Sequence, residues 1–300
     1  MYSDFFTLIR HYFHQTPCLF SNPDWEKIYE LAKNHHILPL IYEAARTLPE
    51  FQQASPSLQM NFQSKAIGLI VGQQTRTDFF LETYGHLTKK GLRPLILKGL
   101  ICRLLYPQPD CRPSSDEDLW IDPKDFPLYD SILKTCGYHC VLEQVSPSML
   151  KNAQTINYEH PLLTLELHIN PFSTKSDTHK AMNRIFSQAL SQAHTFHYNG
   201  QTLYTLSPTH HCLFLFVHLY KHFLSAGAGI RQLLDLCLFQ QAYQEEIDQT
   251  VVDVGIRSLK LTTFYAALMK IGRDTLGFSS LPQKSSPDTR PLLLELDRKS

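Results

Sequence analysis

Three hundred residues are enough for one large domain or two modest ones with a substantial hydrophobic core. An apolar fraction of 43% with 19% charged residues excludes a disordered chain. Lys plus Arg and Asp plus Glu each number 28, so the net charge is zero and long nucleic acid is not an expected partner, although a local basic cleft is compatible with this balance.

The seven cysteines form no CxxC pair, and Cys136 and Cys140 make only a lone CxxxC. Reduced, mostly buried thiols in a cytoplasmic protein are expected, with a metal-thiolate site as the lesser alternative. The N-terminus lacks the positive segment and apolar stretch of a signal peptide. The most apolar run, Cys212 to Val217, is too short to span a bilayer, so no membrane partner is expected. Fifteen histidines are present, yet none falls in an HExxH spacing.

In chain order, residues 1–90 read as a helical segment. Pro23 and Asp24 precede Trp25, Ile28, Leu31 and Ala32 at helical spacing. A second helix is expected over Leu38 to Leu48, and a long third one from Ser57 to Lys89 with a break near Gly68 or Gly72. Residues 91–172 change character. Arg93 to Leu97 is a short buried strand, Leu100 to Leu105 a short helix, and Tyr106 to Ser115 a proline-rich loop. Glu117 to Ile121 reads as a strand, and Asp122-Pro123 opens a helix closed by Gly137. Tyr138 to Gln144, Thr155 to His160 and Leu162 to Ile169 are further expected strands. Residues 173–300 return to helix, interrupted by a hairpin near 194–206 whose Asn199-Gly200 suits a type I′ turn. Helices are expected from Ser207 to Phe223, from Gly229 to about Gln244 and from Leu259 to Arg273. A loosely ordered tail is expected from Ser279, except around Leu292 to Leu296. The expected architecture is α+β: a small mixed-sheet core flanked by helical segments.

The chemistry concentrates in Ser115-Asp116-Glu117-Asp118-Leu119. Alternate strand residues share a face, so Asp116 and Asp118 point together and Glu117 points away. Two adjacent carboxylates repel and call for a cation; Mg²⁺, which favours carboxylates, water and phosphate oxygens, answers that need. Asp-x-Asp alone also suits a solvated loop or a helix cap. What favours the strand reading is its setting: an earlier strand ending in Gly99, a helix and loop, then Leu-Trp-Ile after the acids.

This order resembles the nucleotidyltransferase superfamily, with the fold shared by DNA polymerase β, and looks most like a bacterial group of uncharacterised nucleotidyltransferases. The resemblance is carried by Leu97-Lys98-Gly99, the run from Leu104 to Pro107, Arg112 with Ser115-Asp116-x-Asp118-Leu119, Gly137-Tyr138, Glu166-x-His168 and the stretch from His218 to Leu236. It implies that Asp116 and Asp118 bind metal, Mg²⁺ or Mn²⁺, with a third acid from a neighbouring strand. Glu166 is the choice, with Glu143 and Glu159 as rivals. It also implies that Gly99 lets the backbone approach a triphosphate. Here the usual Gly-Ser or Gly-Gly is replaced by Lys98-Gly99-Leu100, which lacks the expected hydroxyl. Lys98 and Arg112 can supply phosphate charge, or stand as a solvated strand end and an exposed loop arginine. Ser115 and His168 are further nucleotide-binding candidates. His218 and His222 share a helical face beside Lys221, and suit nucleotide or acceptor contacts or core packing. Arg231 shares a face with Asp235, suiting an ion pair or a phosphate contact.

The sequence therefore leads to a metal-dependent nucleotidyltransferase that moves a nucleoside monophosphate from a triphosphate to an unknown acceptor hydroxyl, releasing pyrophosphate. The missing hydroxyl motivates the alternative of a catalytically inactive nucleotide-binding or interaction protein on the same fold.

Overall fold

The computed structural model describes residues 2–20, 22–175, 177–226, 229–283 and 287–297. The chain begins with helices α1 (Tyr2–His14), α2 (Trp25–Asn34), α3 (Leu38–Ala45), α4 (Pro49–Gln52) and α5 (Pro56–Lys89). Asp24 caps α2 by accepting from the Lys27 amide, and Trp25, Ile28, Leu31 and Ala32 are buried, as the spacing predicts. Ser55 caps α5, with Pro56 at its first position.

Helix α5 runs unbroken for 34 residues, so the expected break at Gly68 or Gly72 does not occur. A helical glycine costs only about 1 kcal/mol, and the burial of Phe62, Ala66, Phe80, Leu81 and Tyr84 on the same helix outweighs that. At roughly 50 Å long, α5 reaches from the N-terminal helices to the sheet. Phe62 packs edge-on against Tyr29 and Phe51 near one end. Near the other, the Tyr84 hydroxyl donates to the Pro94 carbonyl at 2.8 Å and accepts from the Tyr204 amide at 2.9 Å.

The sheet comprises β1 (Leu95–Ile96), β2 (Asp116–Trp120), β3 (His139–Cys140), β4 (Thr155–Glu159), β5 (Thr164–His168), β6 (His194–Tyr198) and β7 (Gln201–Thr205). Its order is β3-β4-β5-β2-β1-β7-β6. The β2–β5 and β1–β7 pairs are parallel and the remainder antiparallel, so the fold is α+β with a mixed sheet. The hairpin turns at Asn199 and Gly200, both at positive φ as a type I′ turn requires. It is part of this sheet, because β7 pairs with β1.

Between the strands lie α6 (Leu100–Arg103), α7 (Phe126–Thr135), α8 (Pro147–Asn152) and α9 (Asp177–Ile185). After them come α10 (Pro208–Ala226), α11 (Ile230–Ala242), α12 (Gln249–Ser258), α13 (Thr262–Asp274) and α14 (Arg290–Asp297). Two expectations need correction. The strand expected over Tyr138 to Gln144 is only two residues, His139 and Cys140; the Val141 amide still donates to the Asn157 carbonyl on β4 at 2.9 Å, and the chain beyond leaves the sheet. Helix α12 is an addition to the expected elements; it is capped by Asp248 and buries Val252, Gly255 and Ile256. All seven cysteines are free thiols.

One face of the central strands is apolar apart from Glu117: Leu119, Ile156, Tyr158, Leu165 and Leu167 are fully buried. Each such side chain contributes about 1.5–3 kcal/mol. That packing leaves the opposite face free to carry charge.

Candidate active site

The parallel register of β2 and β5 sets Asp118 opposite Glu166, Trp120 opposite His168 and Asp116 opposite Thr164. Paired residues point to the same side of a sheet, so the acids from two strands converge on the polar face. Asp118 lies at the floor, 1% exposed, whereas Asp116 at 28% and Glu166 at 32% open toward solvent. His168 Nε2 is 2.9 Å from Asp118 Oδ1 and 3.7 Å from Glu166 Oε2. An ionised carboxylate can only accept, so His168 Nε2 donates to it, and Nδ1 is buried without a partner among the described residues.

Lys98, just beyond β1, reaches into this cluster. Its Nζ is 2.8 Å from Asp118 Oδ2 and 3.2 Å from Asp116 Oδ2. Burial disfavours charge on both partners, yet the attraction outweighs it: Lys98 is held above the usual lysine range, and Asp118, which His168 also supports, well below the carboxylate range. Glu166 is pushed up, by burial and then by the Asp118 charge beside it. Three carboxylates facing one ammonium leave an excess of negative charge. Donor atoms of Asp118, Glu166 and His168 all lie within 4.8 Å of one another. This set fits a divalent cation held through carboxylate oxygens, with His168 orienting Asp118. The rival acids are elsewhere: Glu143 is exposed, and Glu159 pairs with His139 at 3.4 Å.

Several expected roles are corrected by their surroundings. Lys98 is neither a solvated strand end nor a free phosphate ligand, since the acids hold it. Gly99 adopts φ 53°, but the group that uses its missing side chain is Glu117: a Cβ there would overlap Glu117 Oε2. The same carboxylate accepts from the Leu100 amide at 2.9 Å and pairs with the fully buried Arg103. The space that the missing Gly99 side chain leaves is thus occupied by a side chain of the protein. Arg112 is 4% exposed and grips Asp235 with two hydrogen bonds, of 2.7 and 2.6 Å, so it is neither an exposed loop arginine nor a free phosphate ligand. Asp235 also accepts from the Tyr106 hydroxyl at 2.9 Å. The expected Arg231–Asp235 ion pair gives way to this arrangement, and Arg231 instead donates to the Pro113 carbonyl at 2.5 Å. His168, expected as a nucleotide contact, has Asp118 as its partner here.

Helix α10 lies across the cluster. His218 and His222 line the cleft together with Lys98, Asp116, Arg112 and Arg231. Their Nε2 atoms are 3.2 Å apart. Burial, then the Lys98 charge and His222, push His218 well below its ordinary pKa. Burial also lowers Lys221, while the Glu166 charge opposes that shift. Gly227, part of the same sequence motif, lies outside the described residues. Ser115 is exposed and lines a neighbouring cavity, not this cleft. Ser114, which sequence reasoning missed, fixes the loop before β2: its amide donates to Gln73 Oε1 at 2.6 Å and its hydroxyl to the Asp116 carbonyl at 2.7 Å. No spacing signal could have linked Gln73 to Ser114 across 41 residues.

The mixed sheet thus presents the Asp-x-Asp strand beside a parallel neighbour that carries Glu166. Residues 21–277 match the family described as uncharacterised nucleotidyltransferase, and the chain belongs to that family. No curated protein matches it. Among solved structures, the solution structure of the antibiotic-resistance factor ANT(2'')-Ia aligns with a TM-score of 0.44 and 13% identity, covering 65% of this chain and 96% of that one. No helix among the described residues is long and apolar enough to cross a membrane.

Proposed function

We propose that this nucleotidyltransferase moves a nucleoside monophosphate from a nucleoside triphosphate to an acceptor hydroxyl, and that Asp116, Asp118 and Glu166 carry the reaction. The observation behind this reading is the convergence of three carboxylates from adjacent strands around a single lysine. In the proposed reaction the acceptor oxygen bonds to the α-phosphorus, the bond to the bridging oxygen breaks, and pyrophosphate leaves. Glu166, whose affinity for a proton is raised by burial and by Asp118, is suited to take the acceptor's proton on its carboxylate. Asp118 and Glu166, with Asp116 alongside, would hold Mg²⁺ or Mn²⁺, which would supply charge compensation for the phosphate oxygens. His168 keeps the Asp118 carboxylate in one orientation. His218, His222 and Arg231 border the space where substrate would lie, and Lys221 is near enough to feel the Glu166 charge.

A second reading, nucleotide binding without turnover, draws on one feature: the Leu100 amide is engaged by Glu117 and is not free for a phosphate. One experiment separates the two. Each common nucleoside triphosphate, labelled at the α-phosphate, is incubated with protein and a panel of hydroxyl acceptors, with Mg²⁺, with Mn²⁺ and with chelator. Metal-dependent label transfer with pyrophosphate release is expected, and Asp118→Asn should reduce it by about 10²-fold or more while the folded spectrum is kept. Binding with no transfer under any condition would favour the second reading. Undiminished transfer by the folded variant would remove Asp118 from the chemistry.

A further inference from the structure

The cleft above the acids is narrow, about 120 Å³, whereas sites for whole ligands of drug size span roughly 300–1,000 Å³. Beside it lies a larger cavity of about 470 Å³, which shares Ser114 and Arg231 with the cleft as lining residues. The cations bordering this cavity come from three helices: Lys33 from α2, Lys65 and Arg76 from α5, and Arg231 from α11. His36 also lines it, and among the described residues no Asp or Glu does. That segregation of charge is unusual in a chain with as many acids as bases.

The cations are also poorly compensated. Lys33 is paired with Glu30 on its own helix. Lys65 and Arg76 have no carboxylate partner among the described residues, and Arg76 Nε is buried without a hydrogen bond. Arg231 donates to a neutral acceptor, the Pro113 carbonyl. Burial and the nearby Arg103 charge both disfavour the Arg76 cation. Lys65, Leu69 and Arg76 are spaced by four and seven residues, which places them along one face of α5. Gln73 on the same helix holds the Ser114 amide, so the helix that presents these cations also fixes the loop carrying Asp116. The Asp235 and Asp116 charges act on Arg231 from the cleft side, but clustered guanidinium and ammonium groups with so few counter-charges are a costly arrangement that a polyanion relieves.

We propose that this cavity is a phosphate-binding site, with Arg76, Lys65 and Arg231 as its ligands, and that it seats a phosphate group of the transferase substrate. Assigning that phosphate to a transferase substrate rests on the proposed function; the site itself does not. Two sources share this chemistry: the nucleotide's own phosphate tail and a phosphorylated acceptor.

The test uses calorimetry with inorganic phosphate and with pyrophosphate, without metal, on the full chain. Wild-type protein is expected to bind, and the Lys65→Gln/Arg76→Gln double variant to bind about tenfold or more weakly, as the loss of charged hydrogen bonds implies. Lys65→Gln alone, at an exposed position, gives a smaller loss and guards against misfolding of the double variant. Asp118→Asn is expected to bind as wild type does. Absence of phosphate binding by wild type, or equal affinity in the folded double variant, overturns the site. Mg²⁺ complexes of the nucleoside triphosphates then distinguish the sources. Loss of their binding in the double variant assigns the phosphate to the nucleotide, and retention assigns it to the acceptor. Phosphate binding that depends on Arg76 in a protein with no transferase activity would keep the site and remove the transferase reading.

Discussion

Lys98 is the residue on which the acids depend. Its ammonium lies within 3.2 Å of both strand aspartates, so it holds together charges that would otherwise separate. A divalent cation binding the same carboxylates would compete with it. Lys98→Met should therefore lower the melting temperature in chelator and enlarge the rise that Mg²⁺ produces, compared with wild type. A metal-induced shift no larger than wild type's would show that Lys98 and the ion do not share the acids. Arg112 and Asp235 make a different case, being a buried pair with two hydrogen bonds and a third from Tyr106. Asp235→Ala leaves the Arg112 guanidinium buried and uncompensated, so a loss of about 3–5 kcal/mol is expected in denaturant unfolding. A loss below about 1 kcal/mol would mean that water reaches the guanidinium and replaces the carboxylate.

At the scale of elements, the turn from β1 into α6 is built around a glycine that makes room for a carboxylate. Gly99→Ala places a methyl group on Glu117 and forces a side chain onto positive φ. Thermal denaturation should show a loss of several kcal/mol, on the order of 2–4. Unchanged stability would mean that Glu117 can leave α6 freely. The sequence made visible the elements whose signals are local: the capped α2, the Asn199-Gly200 hairpin, and the alternation that separates Asp116 and Asp118 from Glu117. Alternation alone also puts Glu166 and His168 on one face of their strand. What the sequence could not show was pairing at a distance. Nothing near Arg112 points to Asp235, 123 residues away, when Arg231 stands one helical turn from that same aspartate. Nor does the hairpin announce that β7 will dock on β1, since a two-residue strand carries no periodicity.

The whole molecule is closed where its late and early segments meet, and that junction carries a histidine. The Thr205 hydroxyl on β7 donates to the Ile96 carbonyl on β1 at 2.7 Å. Its single proton is thereby used, so it accepts from His211 Nδ1 on α10, 3.0 Å away. His211 is fully buried and its ring centroid lies 4.6 Å from that of Phe239 on α11. Burial pushes its pKa down to about 3, from an ordinary value near 6.5. Above about pH 6.5 the ring is neutral in both folded and unfolded chains and adds no pH dependence. Between about 6.5 and about 3 the unfolded chain takes up a proton that the folded one refuses, so stability falls as pH falls. The slope from this one group approaches about 1.4 kcal/mol per pH unit. His211→Asn keeps an N–H for Thr205 but cannot titrate. It should be less stable than wild type at pH 8, through lost volume, and should lose stability less steeply from pH 6 to pH 4. Parallel curves for the two proteins, measured by denaturant unfolding across that range, would show that acid opens the molecule elsewhere.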